Sequence, residues 1–217
     1  MARHGATDGR GSAGFAAARG ESAPDAAKPI VWISCAVCDA LVEEATRAYP
    51  FETGGVLMGY ADPSDTELVV TALVGPGPGA AHRRTSFVPD HAFHDAEVAR
   101  LYRESHRRWT YLGDWHSHPA GESSLSRTDR RTLAHIAGDP GARAPRPLML
   151  VLAGGHGLTH DGGHIGKISS PRYTKGHLTM PWKLGCWRLV KQPTHWWTSW
   201  RNDGIARCHF QTFDEQA

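Results

Sequence analysis

Hydrophobic order begins at Pro29. Pro29-Ile30-Val31-Trp32-Ile33 is a short β-prone run, and Ser34 follows as an N-cap. Val37, Ala40, Leu41, Ala45, Ala48 and Tyr49 then recur at helical spacing, which predicts an amphipathic helix over 35–49, ended by Pro50. Two apolar runs, 55–60 and 67–74, flank the turn-prone Ala61-Asp62-Pro63-Ser64-Asp65 and predict a hairpin of buried strands. After the loop 75–79, a short strand is expected over 85–89. Asp90 then caps a helix reaching about Arg107, with Phe93, Ala96, Leu101 and Tyr102 on its apolar side.

Thr110 to His116 reads as a strand, Ser126 to Ala137 as a helix with Leu133 and Ile136 facing inward, and Leu148 to Ala153 as the most apolar strand of the chain. A hairpin-like turn over 154–163 leads to a further strand over 165–168. The order strand, helix, hairpin, helix, strand, helix, strand, strand predicts an α/β (α+β) fold with a mixed central sheet flanked by helices.

Both ends depart from this pattern. Residues 1–28 are Ala, Gly, Arg and Ser with Phe15 as the single large internal apolar residue, so this segment is expected to be a disordered tail. The domain proper is expected over 29–170. Residues 171–217 form an extension with five tryptophans between Trp182 and Trp200, expected chiefly as a hydrophobic cap on the core and otherwise as a partner-docking surface.

Composition narrows the function classes. With 217 residues the chain has room for one ordinary domain, and 40% hydrophobic content is globular. A formal charge of +2 gives no electrostatic footprint for nucleic acid or a membrane surface. No apolar run approaches the length of about 18 residues that suggests a membrane span, and no secretory signal is visible. Four cysteines in a chain this long do not form a disulfide framework, so the expected compartment is the reducing cytoplasm. Cys35 and Cys38 form a lone CxxC on a predicted helix and are expected to be packing residues rather than a second zinc site.

The chemistry concentrates in GDWHSHPAGESSLSRTD at 113–129. Residues i and i+2 of a strand share a face, so His116 and His118 can present two imidazoles to one ion, and Asp129 on the next helix can add an anionic ligand. Three protein ligands with one open position is the arrangement of catalytic zinc. Glu52, directly before a buried strand, is the candidate proton acceptor, and Ser126 the candidate hydroxyl donor to an oxyanion. Ser126 and Asp129 also have the spacing of a capping box, which would fix the direction of Asp129. Ser117 and Trp115 are expected on the opposite face. Asp114 is set aside as well, on the expectation that alternation turns it from the histidines. The remaining histidines, His82, His91 and His94 among them, show no ligand spacing.

This constellation resembles the JAMM or MPN+ metalloproteases, in particular their prokaryotic JAB branch. The family pattern of upstream Glu, His-x-His, seven residues, Ser, two residues and Asp is complete as Glu52, His116-Ser117-His118, Ser126 and Asp129. The flanking ETGGVLMG at 52–59 and GPGPGA at 75–80 are similar too, and the likeness covers roughly 30–170. The resemblance implies an MPN/JAMM fold, of cytidine-deaminase-like type, and one Zn²⁺ per chain on His116, His118 and Asp129. It further implies water activation by Glu52 and transition-state stabilisation by Ser126. The implied reaction is hydrolysis after the C-terminal glycine of a ubiquitin-like protein, as deconjugation or precursor processing. Partners would be that protein or its conjugate, and ubiquitin-transfer proteins of E1 or E2 type. A scaffold that binds such a modifier without cutting it, and a hydrolase of small amides, are the rival readings.

Overall fold

The structure, a computed structural model, describes residues 28–154, 182–191 and 204–214. The expected tail before Lys28, and the turn and strand expected after Gly154, lie outside these residues. Ten strands and three helices are described: β1 (Ile30–Ser34), α1 (Cys35–Ala48), β2 (Gly54–Ala61), β3 (Glu67–Val74), β4 (Ala81–Arg83), β5 (Ser86–Val88), α2 (His91–Glu104), β6 (Thr110–His118), α3 (Arg127–Gly138), β7 (Leu148–Ala153), β8 (Lys183–Leu189), β9 (Ile205–Arg207) and β10 (His209–Phe213). Eight strands form one mixed sheet in the order β10-β1-β3-β2-β6-β7-β8-β9, and β4-β5 is a separate hairpin. The pairs β1–β3, β1–β10 and β6–β7 are parallel, the others antiparallel.

Alternation along the central strands assigns the two faces. Leu57, Leu112, Trp115, Leu148, Leu150 and Leu152 point to one face, where Val37, Cys38, Leu41 and Ala45 of α1 cover them. Val56 and Met58 point to the other and meet Phe93, Val98 and Leu101 of α2. Met149 and Val151 share that second face and pack with Leu133 of α3. One helix therefore closes the first face and two straddle the second. The gap between α2 and α3 lies over β6.

A bulge refines the alternation. Met58 pairs with Tyr111 but Leu57 pairs with Gly113, so Leu112 is the extra residue and Tyr111 joins the face of Asp114, His116 and His118. Gly113 has φ +149°, and a Cβ there would stand 1.9 Å from the Leu148 carbonyl oxygen. Only glycine lets β6 and β7 approach at this point.

Helix starts carry the expected polar residues with one correction. Asp90 caps α2 by accepting from the Phe93 amide at 3.1 Å. Ser34 occupies the position before α1 but makes no cap, and its buried hydroxyl has no partner. Strands β4, β8, β9 and β10 were not expected from the sequence. Trp182 is buried and donates its indole N–H to Thr46 at 3.0 Å, so the described part of the Trp-rich stretch packs onto the body of the fold. Cys208 alone separates β9 from β10, yet β9 pairs with β8 and β10 with β1. One short stretch of chain thus joins the two ends of the sheet.

Candidate metal centre

The floor of the cleft between α2 and α3 is β6, and the cleft measures about 1250 Å³. Glu52, His116, His118, Ser126 and Asp129 all line it. Each is delivered by a different local device. Strand period sets His116 and His118 on one face. The two Nε2 atoms face one another at 3.0 Å, and Asp129 Oδ1 lies 3.3 Å from His116 Nε2. Ligands at 2.0–2.1 Å from a tetrahedral ion stand about 3.3 Å apart. Asp129 Oδ2 is 3.7 Å from His118 Nε2. Among the described residues, these three form the one group of three or more His, Cys, Asp or Glu with ligand atoms converging on a point. The donor set and its spacing fit a divalent ion that accepts two nitrogens and a carboxylate.

Protonation favours the same reading. His118 Nδ1–H donates to the Glu122 carbonyl at 2.9 Å, so the neutral ring keeps its lone pair on Nε2, toward His116 and Asp129. Burial, and then repulsion from His116, lower the His118 pKa and hold the ring neutral. Asp129 is buried, which alone would raise its pKa. Its hydrogen bond and charge interaction with His116, together with its bonds to Ser126, outweigh burial and hold the carboxyl down at about 2.

The Ser126–Asp129 pair is a complete capping box. Ser126 Oγ accepts from the Asp129 amide at 3.2 Å, and Asp129 Oδ2 accepts from the Ser126 amide at 2.6 Å. The cap and the ligand group share one carboxylate. The Ser126 hydroxyl also faces the Asp129 carboxylate, and its bond there helps to lower the Asp129 pKa.

Glu52 comes from the neighbouring strand segment. Gly54 pairs with His116 and Gly55 with Trp115, and a Cβ on Gly54 would stand 2.5 Å from the Trp115 carbonyl oxygen. Beside this pairing, Ser117 N–H donates to the Thr53 carbonyl at 2.8 Å and Thr53 N–H donates to Ser117 Oγ at 3.0 Å. Ser117 faces away from the histidines, as expected, and fastens their strand to the residue after Glu52. Ser117→Ala would leave a buried amide without its acceptor. The expected cost is about 1–3 kcal/mol of folding stability, read by urea denaturation, with His116, His118 and Asp129 untouched.

The backbone of Glu52 is held from the other side by the β4–β5 hairpin. Its N–H donates to the Arg83 carbonyl at 2.7 Å, and His82 Nδ1–H donates to its carbonyl at 2.9 Å. Burial raises the Glu52 pKa; His116 pulls it down and Asp129 pushes it up, so the carboxylate is in electrostatic range of both.

Sequence reasoning missed two residues here. Asp114 lines the same cleft as His116 and His118, against the expectation. Strict alternation, correctly applied, groups 114 with 116 and 118. Its Oδ1 accepts from the Tyr111 hydroxyl at 2.7 Å; burial raises its pKa, while Tyr111 and the nearby histidines oppose that rise. The other is His82. A single histidine on a three-residue strand carries no periodic signal, and its bond to Glu52 is visible only in three dimensions. Cys38, Cys186 and Cys208 are buried and Cys35 half-buried, with no place in a ligand group among the described residues.

Comparison with known proteins agrees with this geometry. Residues 35–163 match the family described as prokaryotic homologs of the JAB domain. The probable metalloprotease y4qB of Sinorhizobium fredii is 43% identical over 127 residues, which cover 58% of this chain and 77% of that protein. A CD-NTase/cGAS isopeptidase of Enterobacter hormaechei is 32% identical over 127 residues, 56% of this chain and 66% of that protein. In fold, a protein of Desulfitobacterium hafniense solved in solution superposes with a TM-score of 0.53 at 17% identity, covering 85% of this chain and 94% of its own. A family match over more than half of the chain, and a metalloprotease relative matched over most of its own length, lead to one conclusion: the chain belongs to the prokaryotic JAB-domain family.

Proposed function

We propose that this chain is a zinc-dependent isopeptidase or peptidase that cuts after the C-terminal glycine of a ubiquitin-like protein. The observation that carries the proposal is the convergence of His116, His118 and Asp129 in a cleft that Glu52 and Ser126 also line. In this reading His116 Nε2, His118 Nε2 and one Asp129 oxygen hold a single zinc. When bound, zinc supplies Lewis acidity and brings the pKa of water toward about 7.

The protein's residues do the rest. Glu52 takes the proton of the attacking water and returns it to the leaving amine. A carboxylate whose pKa burial has raised is a better acceptor than an exposed one, and its backbone N–H and carbonyl are held by Arg83 and His82 of β4. Ser126 turns its hydroxyl proton from Asp129 to the oxyanion, while its oxygen stays in the helix cap. His118 Nδ1–H stays on the Glu122 carbonyl, so the ring does not compete for protons.

The names of the relatives support the substrate class. One is called a probable metalloprotease and three are called CD-NTase/cGAS isopeptidases, which fits a ubiquitin-like conjugate as substrate. No helix among the described residues is long and apolar enough to cross a membrane, and free thiols suit the reducing cytoplasm.

The test is incubation of the zinc-loaded chain with ubiquitin-like proteins joined through their terminal glycine to lysine or to a peptide. Mass spectrometry should find cleavage directly after the glycine, abolished by a chelator and restored by zinc. Tight binding of the modifier with no cut bond would overturn the enzyme reading and leave a scaffold.

A further inference from the structure

Two cysteines outside the metal centre stand opposite one another where the chain joins the ends of the sheet. β8 and β9 are antiparallel, with Trp187 opposite Arg207, Arg188 opposite Ala206 and Leu189 opposite Ile205. One further step along this register sets Cys186 opposite Cys208. The Cys208 amide donates to the Cys186 carbonyl at 2.9 Å, so the register continues through that pair. Opposed residues of an antiparallel pair share a face, and a hydrogen-bonded pair has its Cα atoms about 5.5 Å apart. Disulfides most often span Cα separations of about 5.5–6 Å. Both side chains do share a face, since both belong to the core beneath α1. Burial and then the neighbouring Cys208 thiol push the Cys186 thiol well above its ordinary range, as expected for two thiols in contact.

We propose that Cys186 and Cys208 form a reversible dithiol–disulfide couple that fastens the closing strand to the sheet. The oxidant is a small-molecule disulfide of the glutathione type. Cys208, at 7% exposure against 1% for Cys186, reacts first. Its thiolate attacks one sulfur of the oxidant, forming a mixed disulfide and releasing one small thiol. The Cys186 thiolate then attacks the Cys208 sulfur, closing the protein disulfide and releasing the second small thiol. Two electrons pass from the cysteines to the oxidant, and the two thiol protons end on the released thiols. In a reducing compartment the couple rests as the free thiols seen here.

This pair is not the one that sequence spacing suggests. Cys35 and Cys38 form the CxxC, but Cys35 is turned toward Thr212 and Asp214 of the β10 segment. The geometry favours the cysteines that are distant in sequence.

The test uses the full chain, equilibrated with oxidised or reduced glutathione, alkylated and weighed intact. Oxidation should protect two of the four thiols, and a digest should yield a Cys186–Cys208 linked peptide. The thermal midpoint should rise by several degrees on oxidation, in the native chain and in Cys35→Ser/Cys38→Ser, and not in Cys208→Ser. Four alkylated thiols after oxidation, a disulfide mapped to Cys35–Cys38, or a linked pair with no rise in midpoint would each overturn the proposal. None of these readouts depends on cleavage activity or on metal.

Discussion

Glu52→Gln is expected to lower kcat/KM by about 10³-fold, near 4 kcal/mol of transition-state stabilisation, while bound metal and folding stability stay close to native. Glutamine has the size of glutamate and can occupy the same space, so the change removes the proton acceptor and little else. The backbone of residue 52 would remain clipped, because its partners are the Arg83 carbonyl and the His82 ring rather than its own side chain. The next residue would remain tied to the histidine strand through the two Thr53–Ser117 bonds. None of the three converging candidate ligands, His116, His118 and Asp129, is altered. A structural or ligand role for Glu52 gives a different signature, since metal content or the unfolding midpoint would then fall with activity. The measurement is therefore threefold: kcat/KM on a cleavable ubiquitin-like fusion, zinc per chain by mass spectrometry, and the denaturation midpoint. Equal turnover by the variant would sink the assignment of the base.

The site was legible in the sequence where local periodicity positions its residues. Two histidines at i and i+2 need only a strand to share a face. Ser126 and Asp129 need only a helix start, and the capping box they form is local chemistry. Glu52 was legible by spacing and resemblance alone, because what brings it to His116 is pairing between β2 and β6 across some sixty residues. Asp114 failed for a different reason: the period of two was applied the wrong way round, and the structure groups it with the histidines. Tyr111 on that face follows from the Gly113 bulge, which no alternating pattern foretells.

The fold shows the same division. The long amphipathic helices and the apolar runs of β2, β3, β6 and β7 announced themselves. β9 and β10 are three and five residues long and belong to opposite ends of the sheet, so their existence depends on partners far away in sequence. β8 was hidden by its mixture of Trp, Lys, Arg and Gly. Its tryptophan nevertheless bears on the site, because Trp187 donates to the Ser123 carbonyl at 2.9 Å and steadies the loop that leads to Ser126.

The native protein is expected to hold about one zinc per chain and the His116→Ala/His118→Ala double variant less than about 0.1, since a single remaining carboxylate is far short of the three protein ligands that catalytic zinc needs. Cleavage should fall to background with it. The variant should still fold. Both rings line the cleft rather than the core under α1, and the start of α3 keeps its cap, because the Ser126 amide and hydroxyl bond Asp129 without help from either histidine. What the variant loses is the stabilisation that a ligand confers on the folded state it binds, about 2.7 kcal/mol at a free metal concentration one hundred times the dissociation constant. A chelator should therefore lower the native melting midpoint to near that of the variant and leave the variant's own midpoint unmoved. Unchanged zinc in the double variant would mean that the ion is held elsewhere, and the convergence of His116, His118 and Asp129 would then need an explanation other than metal.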